Sequence, residues 1–223
     1  MLTDKSMAQT VRKLQRLTET LRERIFIPVG QAELLGCYQT TTPLNRIPDD
    51  ALFSPAPQRW GGEGMYAWFK LGYAVPTELE GRPLFLYPHI AFFEATLWVN
   101  GCIHSNYAAK FNEGSHGNHW CNRFTAAAKA GEVYDFALEC YAWHDMPGTQ
   151  PLQDERMRDY TYAVDATDVC VRDDELMVFL FDLKTLLSLR KSLPEDSFRR
   201  AALENALYEQ RLRCTPAGRT GPG

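Results

Sequence analysis

Histidine and acidic side chains are the residues of this sequence whose types and spacing could support metal binding or catalysis. His116 and His119 form an H-x-x-H pair. Histidines at this spacing can bind a metal when both lie on a helix, but Gly117 disfavours a helix there and no third ligand is evident. His144 and Asp145 are adjacent, and adjacent strand residues point to opposite faces, so this pair is expected to shape a turn. We therefore predict no metal site and no catalytic residue.

Other catalytic motifs give the same result. The sequence lacks a G-x-S-x-G elbow, a Walker loop and a G-x-G-x-x-G fingerprint. Its cysteines are widely spaced, without a C-x-x-C pair, which is not the spacing of a zinc knuckle (Cys37, Cys102, Cys121, Cys140, Cys170 and Cys214). Glu94 is an acid within an otherwise apolar strand pattern, and we expect its carboxylate to bond a backbone group or an arginine.

Aromatic side chains in loops and at strand ends suggest a binding function instead. A flat ring exposed at such a place can stack on a sugar. The residues predicted to contact a carbohydrate are Tyr107, His119, Trp120 and Trp143, and Trp60 occupies a similar position. The alternative for each ring is to cap the hydrophobic core.

Composition restricts the class of protein. The chain has 223 residues, of which 45% are apolar and 23% charged, and its net charge is −4. These values are typical of a globular protein, and the charge argues against nucleic acid or an anionic membrane as a partner. Residues 1–24 are polar, without the apolar core of a signal peptide, and no stretch approaches the roughly 20 apolar residues that span a bilayer. We predict a cytoplasmic protein with free, buried thiols.

The elements that position these residues fall into four predicted parts. Residues 1–64 are expected to form an amphipathic helix over 4–25, followed by a proline- and glycine-rich segment that wraps another surface. That segment, 28–64, is expected to be irregular except for a short edge strand at 34–38. Residues 65–182 are expected to form the β-sandwich, 183–213 a helical linker, and 214–223 a flexible tail.

Strand patterns repeat about every ten residues within 65–182, without helices between them. They cover 66–75, 84–87, 133–143, 159–172 and 176–182, and 106–122 is expected to be a loop. This spacing predicts an antiparallel β-sandwich.

The stretch Phe92–Gly101 is expected to be the centre of the sandwich. Its Asn100-Gly101 dipeptide favours a type I′ turn, because both residues tolerate positive φ. Alternation places one apolar set on the core face (Phe93, Ala95, Leu97 and Val99) and a mixed set on the opposite face (Phe92, Glu94, Thr96 and Trp98).

Several runs of the sequence resemble the N-terminal region of bacterial and fungal α-mannosidases of glycoside hydrolase family 38. The similar runs are Trp68–Leu71, Glu94–Gly101, Phe181–Leu183, Leu186–Leu187 and Leu193–Arg200. The resemblance implies a mainly β fold: a galactose-binding-like β-sandwich with an N-terminal helix and C-terminal linker helices. In that family this region precedes a catalytic domain that holds zinc through an H-x-D motif.

The H-x-D motif is missing from this chain. The residues two positions after the histidines are Ala91, Asn106, Asn118, Cys121 and Met146. No catalytic residue of the family can be placed, and no cofactor is expected in this chain, since the zinc would belong to the catalytic domain.

Three functions therefore remain open. The first is an accessory domain with a structural or assembly role, whose partner is the catalytic domain of the same enzyme. The second is a carbohydrate-binding module that uses the loop aromatics. The third is an interaction protein whose apolar helix stripes pair in a homo-oligomer.

Overall fold

The computed structural model describes residues 4–108, 120–144 and 159–214. It divides the chain into two compact units: Phe26–Arg172, and the two segments that flank it. The first unit contains the strands and the second contains three α-helices of the described residues. This confirms the predicted class, a mainly β antiparallel sandwich with an N-terminal helix and C-terminal helices.

Ten strands lie within the described part of the first unit. Their bounds are β1 Phe26–Thr40, β2 Arg59–Gly61, β3 Tyr66–Ala74, β4 Leu84–Pro88, β5 Glu94–Val99, β6 Cys102–Ala108, β7 Asn122–Thr125, β8 Val133–Tyr141, β9 Thr161–Ala163 and β10 Thr167–Arg172. Eight of them form an antiparallel sheet in the order β6-β5-β8-β3-β1-β10-β4-β7, and β2 pairs with β9.

The two outermost strands of this sheet approach each other. Nε2 of His104 on β6 donates to the carbonyl of Arg123 on β7 at 2.7 Å, and Nδ2 of Asn122 donates to the carbonyl of Asn106 at 2.9 Å. The sheet therefore folds over nearly into a closed sandwich, and its inner face encloses the main core.

Residues that alternate along each strand build this core. Phe69 and Leu71 on β3, Leu97 on β5 and Leu138 on β8 are at most 1% exposed. The opposite face of these strands is called the outer face below. The alternation follows from the two-residue period of a strand, which sends every second side chain inward.

The predicted hairpin is confirmed. Asn100 and Gly101 have φ of 49° and 83°, and Val99 pairs with Cys102, as a two-residue turn with positive φ requires. The Asn100 side chain also accepts a hydrogen bond from the backbone N–H of Asp135 at 2.9 Å. The turn residue thus fixes the hairpin against β8 as well as reversing the chain.

The prediction for residues 28–64 is wrong in its first third. Residues 26–40 form one long strand in the middle of the sheet order, pairing with β10 through Phe26–Ala32 and with β3 through Glu33–Thr40. Irregularities of register fall between Pro28 and Gly30 and between Leu34 and Gly36. Proline and glycine, which suggested an irregular segment, instead occupy the bulges at which this strand bends.

The prediction of a strand at 176–182 is also wrong, because these residues belong to a helix. Helix α2 covers Asp174–Ser192, and the side chain of Asp173 accepts a hydrogen bond from the backbone N–H of Leu176 at 2.9 Å. A short apolar run fits a buried strand or a helix equally well, and here the aspartate cap and the acidic first turn favour the helix.

Two smaller differences concern the strands near the end of the sandwich. The expected strand over 159–172 is two strands, β9 and β10, separated at 164–166. Strand β7 lies at the end of, and just beyond, the expected loop 106–122, most of which falls outside the described residues.

The flanking unit contains α1 (Asp4–Arg22), α2 and α3 (Phe198–Cys214). Its core includes Met7 and Leu14 from the predicted apolar stripe of α1, with Leu183 from α2 and Leu207 from α3. The helix predicted for 4–25 is thereby confirmed. Among the helices that the structure describes, none combines the length and apolarity that a membrane span requires.

Candidate functional site

Two of the aromatic residues singled out in the sequence belong to the core. Tyr107 is 1% exposed, and its hydroxyl donates to the carbonyl of Leu86 at 2.9 Å. Trp60 is 2% exposed, and its indole N–H donates to the carbonyl of Ala91 at 2.9 Å. These bonds satisfy the polar atom of each ring, so both side chains act in packing.

The other predicted contact residues do not form one group. Trp120 is partly exposed and meets Phe26 edge-on, with ring centroids 6.2 Å apart. Trp143 is partly exposed beside Phe93. His119, like His116, lies outside the described residues.

Trp143 belongs to a group of stacked rings, which we call the aromatic ledge. The ledge consists of Tyr66, Phe93, Tyr141, Trp143 and His144, all partly exposed. Phe93 and Trp143 stack with centroids 4.2 Å apart, and Trp143 stacks on His144 at 5.5 Å. Tyr66 and Tyr141 stack at 4.7 Å, and the rings of Tyr141 and Trp143 are 6.2 Å apart. The rings thus form a continuous series of contacts.

Strand register places part of this ledge on the outer face. Tyr66 on β3 pairs with Tyr141 on β8, which pairs with Glu94 on β5. Their neighbours Ala67 and Cys140 are buried in the core. Because successive strand residues alternate, the two tyrosines and Glu94 must project outward side by side.

Backbone contacts hold Trp143 in an unusual conformation. Its φ is 77°, a value that non-glycine residues rarely adopt. The N–H of Gly64 donates to the carbonyl of Trp143 at 2.8 Å, and the N–H of Ala142 donates to the carbonyl of Met65 at 2.9 Å. These two bonds fix the backbone on both sides of Trp143. They hold the residue in its strained left-handed conformation and thereby define the position of its ring.

The polar groups of the ledge are interconnected. The Tyr141 hydroxyl and Nδ1 of His144 form a hydrogen bond. Burial, followed by the charges of Tyr66, Glu94 and Glu63, raises the pKa of Tyr141, so the hydroxyl keeps its proton at neutral pH.

A second carboxyl group lies one row further along the outer face. Glu139 pairs with Trp68 on one side and Thr96 on the other. Burial raises the pKa of Glu139, while the nearby indole N–H of Trp98 opposes that rise. This N–H makes no hydrogen bond of normal geometry to any described residue, although Trp98 is only 8% exposed. Glu139 is therefore an acceptor beside a buried donor.

The next part of the outer face is covered rather than open. Trp68 and Trp98 lie in contact with their ring centroids 5.6 Å apart. The segment after β1 packs on them through the apolar side chains of Leu44, Ile47 and Phe53. The open site therefore consists of the aromatic ledge with Glu94, and Glu139 lies where the covered part begins.

The titratable groups and rings of the described residues define what this arrangement offers to a ligand. Burial raises the pKa of Cys37 to about 12 and also raises the pKa values of Cys121 and Cys140 well above that of a free thiol, so these thiols are poor nucleophiles. Within 4–108, 120–144 and 159–214, no three His, Cys, Asp or Glu side chains converge as metal ligands. Exposed rings beside carboxyl acceptors offer stacking and hydrogen bonding to a flat polar ligand.

Sequence reasoning missed most of the ledge. It placed Phe93 on the core face and Phe92 opposite, but Phe93 stacks on Trp143, and Phe92 packs against the core. Strand β5 begins only at Glu94, so its alternation does not extend back to these residues. Tyr66 and Tyr141 lie on strands that were predicted, over 66–75 and 133–143, but neither was singled out as a contact residue.

The fold and site define a β-sandwich domain with an aromatic surface. No known family profile matches the sequence, and neither does any curated protein. Among solved structures, the chain is similar to a β-glucuronidase from Ruminococcus gnavus in complex with D-glucaro-d-lactam, at 12% identity and a TM-score of 0.41. It is also similar to a putative β-galactosidase from Bacteroides fragilis, at 15% identity and a TM-score of 0.40.

These matches are partial. The first covers 63% of this chain and 29% of the glucuronidase chain, and the second covers 63% of this chain and 22% of the galactosidase chain. The chain thus spans less than a third of the length of these two glycosidases. At this identity and TM-score the likeness carries no inference about activity.

Proposed function

We propose that this chain is an accessory β-sandwich domain of a carbohydrate-active protein and that the aromatic ledge is its sugar-binding surface. The observation that carries the proposal is the partly exposed series of stacked rings from Phe93 to Tyr66, bordered by the exposed carboxylate of Glu94. Rings stack on the apolar C–H face of a sugar, and a carboxylate accepts hydrogen bonds from its hydroxyl groups.

The environment of Trp143 supports this use of the ring. Its strained backbone is fixed by Gly64, and its ring stacks on Phe93 and on His144. A ring that is already ordered loses little side-chain entropy when a ligand stacks on it, which favours binding. The neutral Tyr141 and its partner His144 add hydrogen-bonding groups beside the ring.

Calorimetric titration of the purified chain with neutral mono- and oligosaccharides, mannose oligosaccharides included, tests this function. We expect saturable binding of at least one neutral saccharide, and Trp143→Ala should weaken it about tenfold or more, or about 1.4 kcal/mol. Trp120→Ala is the matched control, since Trp120 contacts Phe26 and not the ledge rings, and should leave affinity unchanged. Absence of binding to every saccharide, or equal losses for both variants, would contradict the proposal.

A structural role is the second candidate, and the residues of the family 38 resemblance favour it. Trp68, Phe69 and Leu97 from the similar runs are fully buried, and Asn100-Gly101 forms the turn. The residues that carry the resemblance thus serve packing and folding. This suits a domain that braces an α-mannosidase-like catalytic domain and helps to assemble subunits. In such an enzyme the galactose-binding-like sandwich has no catalytic site of its own, and zinc belongs to the catalytic partner.

Two measurements test this second candidate. The purified chain with an aryl α-mannoside and added zinc should show no turnover, and robust turnover would contradict the absence of a catalytic site. Solution mass at several concentrations should show self-association if the chain assembles subunits. A cytoplasmic location accords with the buried free thiols of Cys37, Cys121, Cys140 and Cys170.

A further inference from the structure

We infer that the aromatic ledge prefers a sugar that carries an ammonium group over its neutral and anionic counterparts. The inference rests on the proposed function and adds the ligand's charge to it. Its basis is the combination of stacked ring faces with acidic side chains at one end of the outer face.

Two carboxyl groups act on the tyrosine at the centre of the ledge. The groups that act electrostatically on the Tyr141 hydroxyl are Tyr66, Glu94 and Glu63, none of which is a cation. Glu94 pairs directly with Tyr141, is exposed, and forms no ion pair with any residue that the structure describes. A ligand ammonium beside Tyr141 would therefore meet a carboxylate that has no competing cation of the described chain.

The ledge rings are also partly exposed. Elsewhere in the sheet, the chain's own cations cover aromatic faces: Lys70 Nζ lies 5.5 Å from the Phe53 centroid, and Arg172 Cζ lies 5.1 Å from the Phe85 centroid. Over the ledge rings, no lysine or arginine of the described segments takes such a position. The negative face of an aromatic ring attracts cations within about 6 Å of its centroid, so the ledge offers an unused cation site.

These two effects set the size of the preference. An exposed cation–π contact and an exposed ion pair with Glu94 each contribute modestly, and together they correspond to about a five- to thirtyfold gain in affinity. An anionic sugar would gain neither and would be repelled by the same carboxylates. The expected order is therefore ammonium sugar, then neutral sugar, then uronate.

A set of monosaccharides that differ in one group isolates the charge. The full chain is titrated calorimetrically, slightly below neutral pH, with glucosamine, N-acetylglucosamine, glucose and glucuronate. Glucosamine should bind about five- to thirtyfold more tightly than glucose, and added salt should reduce the difference. Methylammonium should bind much more weakly than glucosamine, and equal affinity for the two would overturn the assignment to a sugar.

Glu94→Gln tests the source of the preference. It should bring the affinity for glucosamine to within about threefold of the variant's own affinity for glucose, because glutamine keeps a hydrogen-bond acceptor but carries no charge. Glu33→Gln is the matched control: Glu33 is exposed on the same sheet and pairs with Gly72, six residues or about 20 Å along β3 from Tyr66. It should retain the full preference.

The outcomes separate the two proposals. If glucose binds in a Trp143-dependent way but glucosamine gains nothing, the charge preference is refuted and the sugar-binding function stands. An unchanged preference in Glu94→Gln would refute the assignment to that carboxylate. If no saccharide binds, both proposals fail.

Discussion

Replacement of Leu97 by alanine should show whether the hairpin strand β5 is the centre of folding. Leu97 is 0% exposed and lies on β5 between Leu138 of β8 and Ser105 of β6. Both neighbouring strands are hydrogen-bonded to β5, so the surrounding side chains cannot easily move in to fill the space that the leucine leaves.

The expected loss follows from this confinement. Removing a fully buried leucine side chain costs the transfer free energy of its methyl groups plus a term for the remaining cavity, about 3 to 4 kcal/mol in a site that collapses poorly. For a sandwich of this size, each kcal/mol corresponds to about 2–4 °C in Tm. Leu97→Ala should therefore lower the Tm of the β-sandwich by about 10 °C.

Urea denaturation followed by tryptophan fluorescence measures the change in the free energy of unfolding. Thr96→Ala is the control, because Thr96 is the sequence neighbour that projects from the outer face and is only half-buried. It should cost less than about 1 kcal/mol. Equal losses for the two variants, or a loss below about 1 kcal/mol for Leu97→Ala, would refute the assignment of Leu97 to a closely packed core.

Two further predictions concern the glycines at positions 61 and 64 and the carboxyl group of Glu139. Gly61→Ala would place a Cβ 2.1 Å from the carbonyl oxygen of Tyr160 at a φ of 121°, and urea denaturation should show a loss of at least about 2 kcal/mol. Gly64→Ala, at a φ of 70° with open space around the new Cβ, should cost about 1 kcal/mol, and equal losses would contradict the steric argument. Folding raises the pKa of Glu139 above its ordinary 4.5, so the wild type should lose stability relative to Glu139→Gln as pH rises through the folded-state pKa. Denaturation at several pH values measures the difference in the free energy of unfolding between the two proteins. If the wild type loses no stability relative to Glu139→Gln as pH rises, the burial of the Glu139 carboxyl group is contradicted.

Local signals allowed the correct prediction of several elements. The Asn100-Gly101 turn needs only two residues that tolerate positive φ, and helix α1 needs only its own apolar stripe. Strand β1 could not be predicted in the same way. Its pairing changes from β10 to β3 part-way along the strand. Pro28 and Gly36 lie at the irregularities of register, and proline and glycine are residue types that are also common in loops. Long-range pairing, not local preference, makes this segment a strand.

The candidate site was less predictable than the fold for a related reason. Trp143 was singled out as a loop aromatic, but its position depends on a positive φ and on hydrogen bonds to the segment 62–65. Tyr107 was singled out by the same criterion and is buried. Exposure of a ring depends on which distant strand covers it, and an aromatic side chain at a strand end is compatible with both outcomes.

The outer side of the hairpin strand explains how one element can serve both folding and binding. Trp98, at the turn end of β5, is covered by the segment after β1, whereas Glu94, at the other end, is exposed beside Tyr141. Between them Thr96 pairs with Glu139, and both residues are half-buried. The covered end anchors the strand through two tryptophans, so the open end can present a carboxylate and stacked rings without losing its register. A ligand on the ledge would therefore meet rings that are already packed on one another, which reduces the entropy lost when modest stacking and charge contacts form.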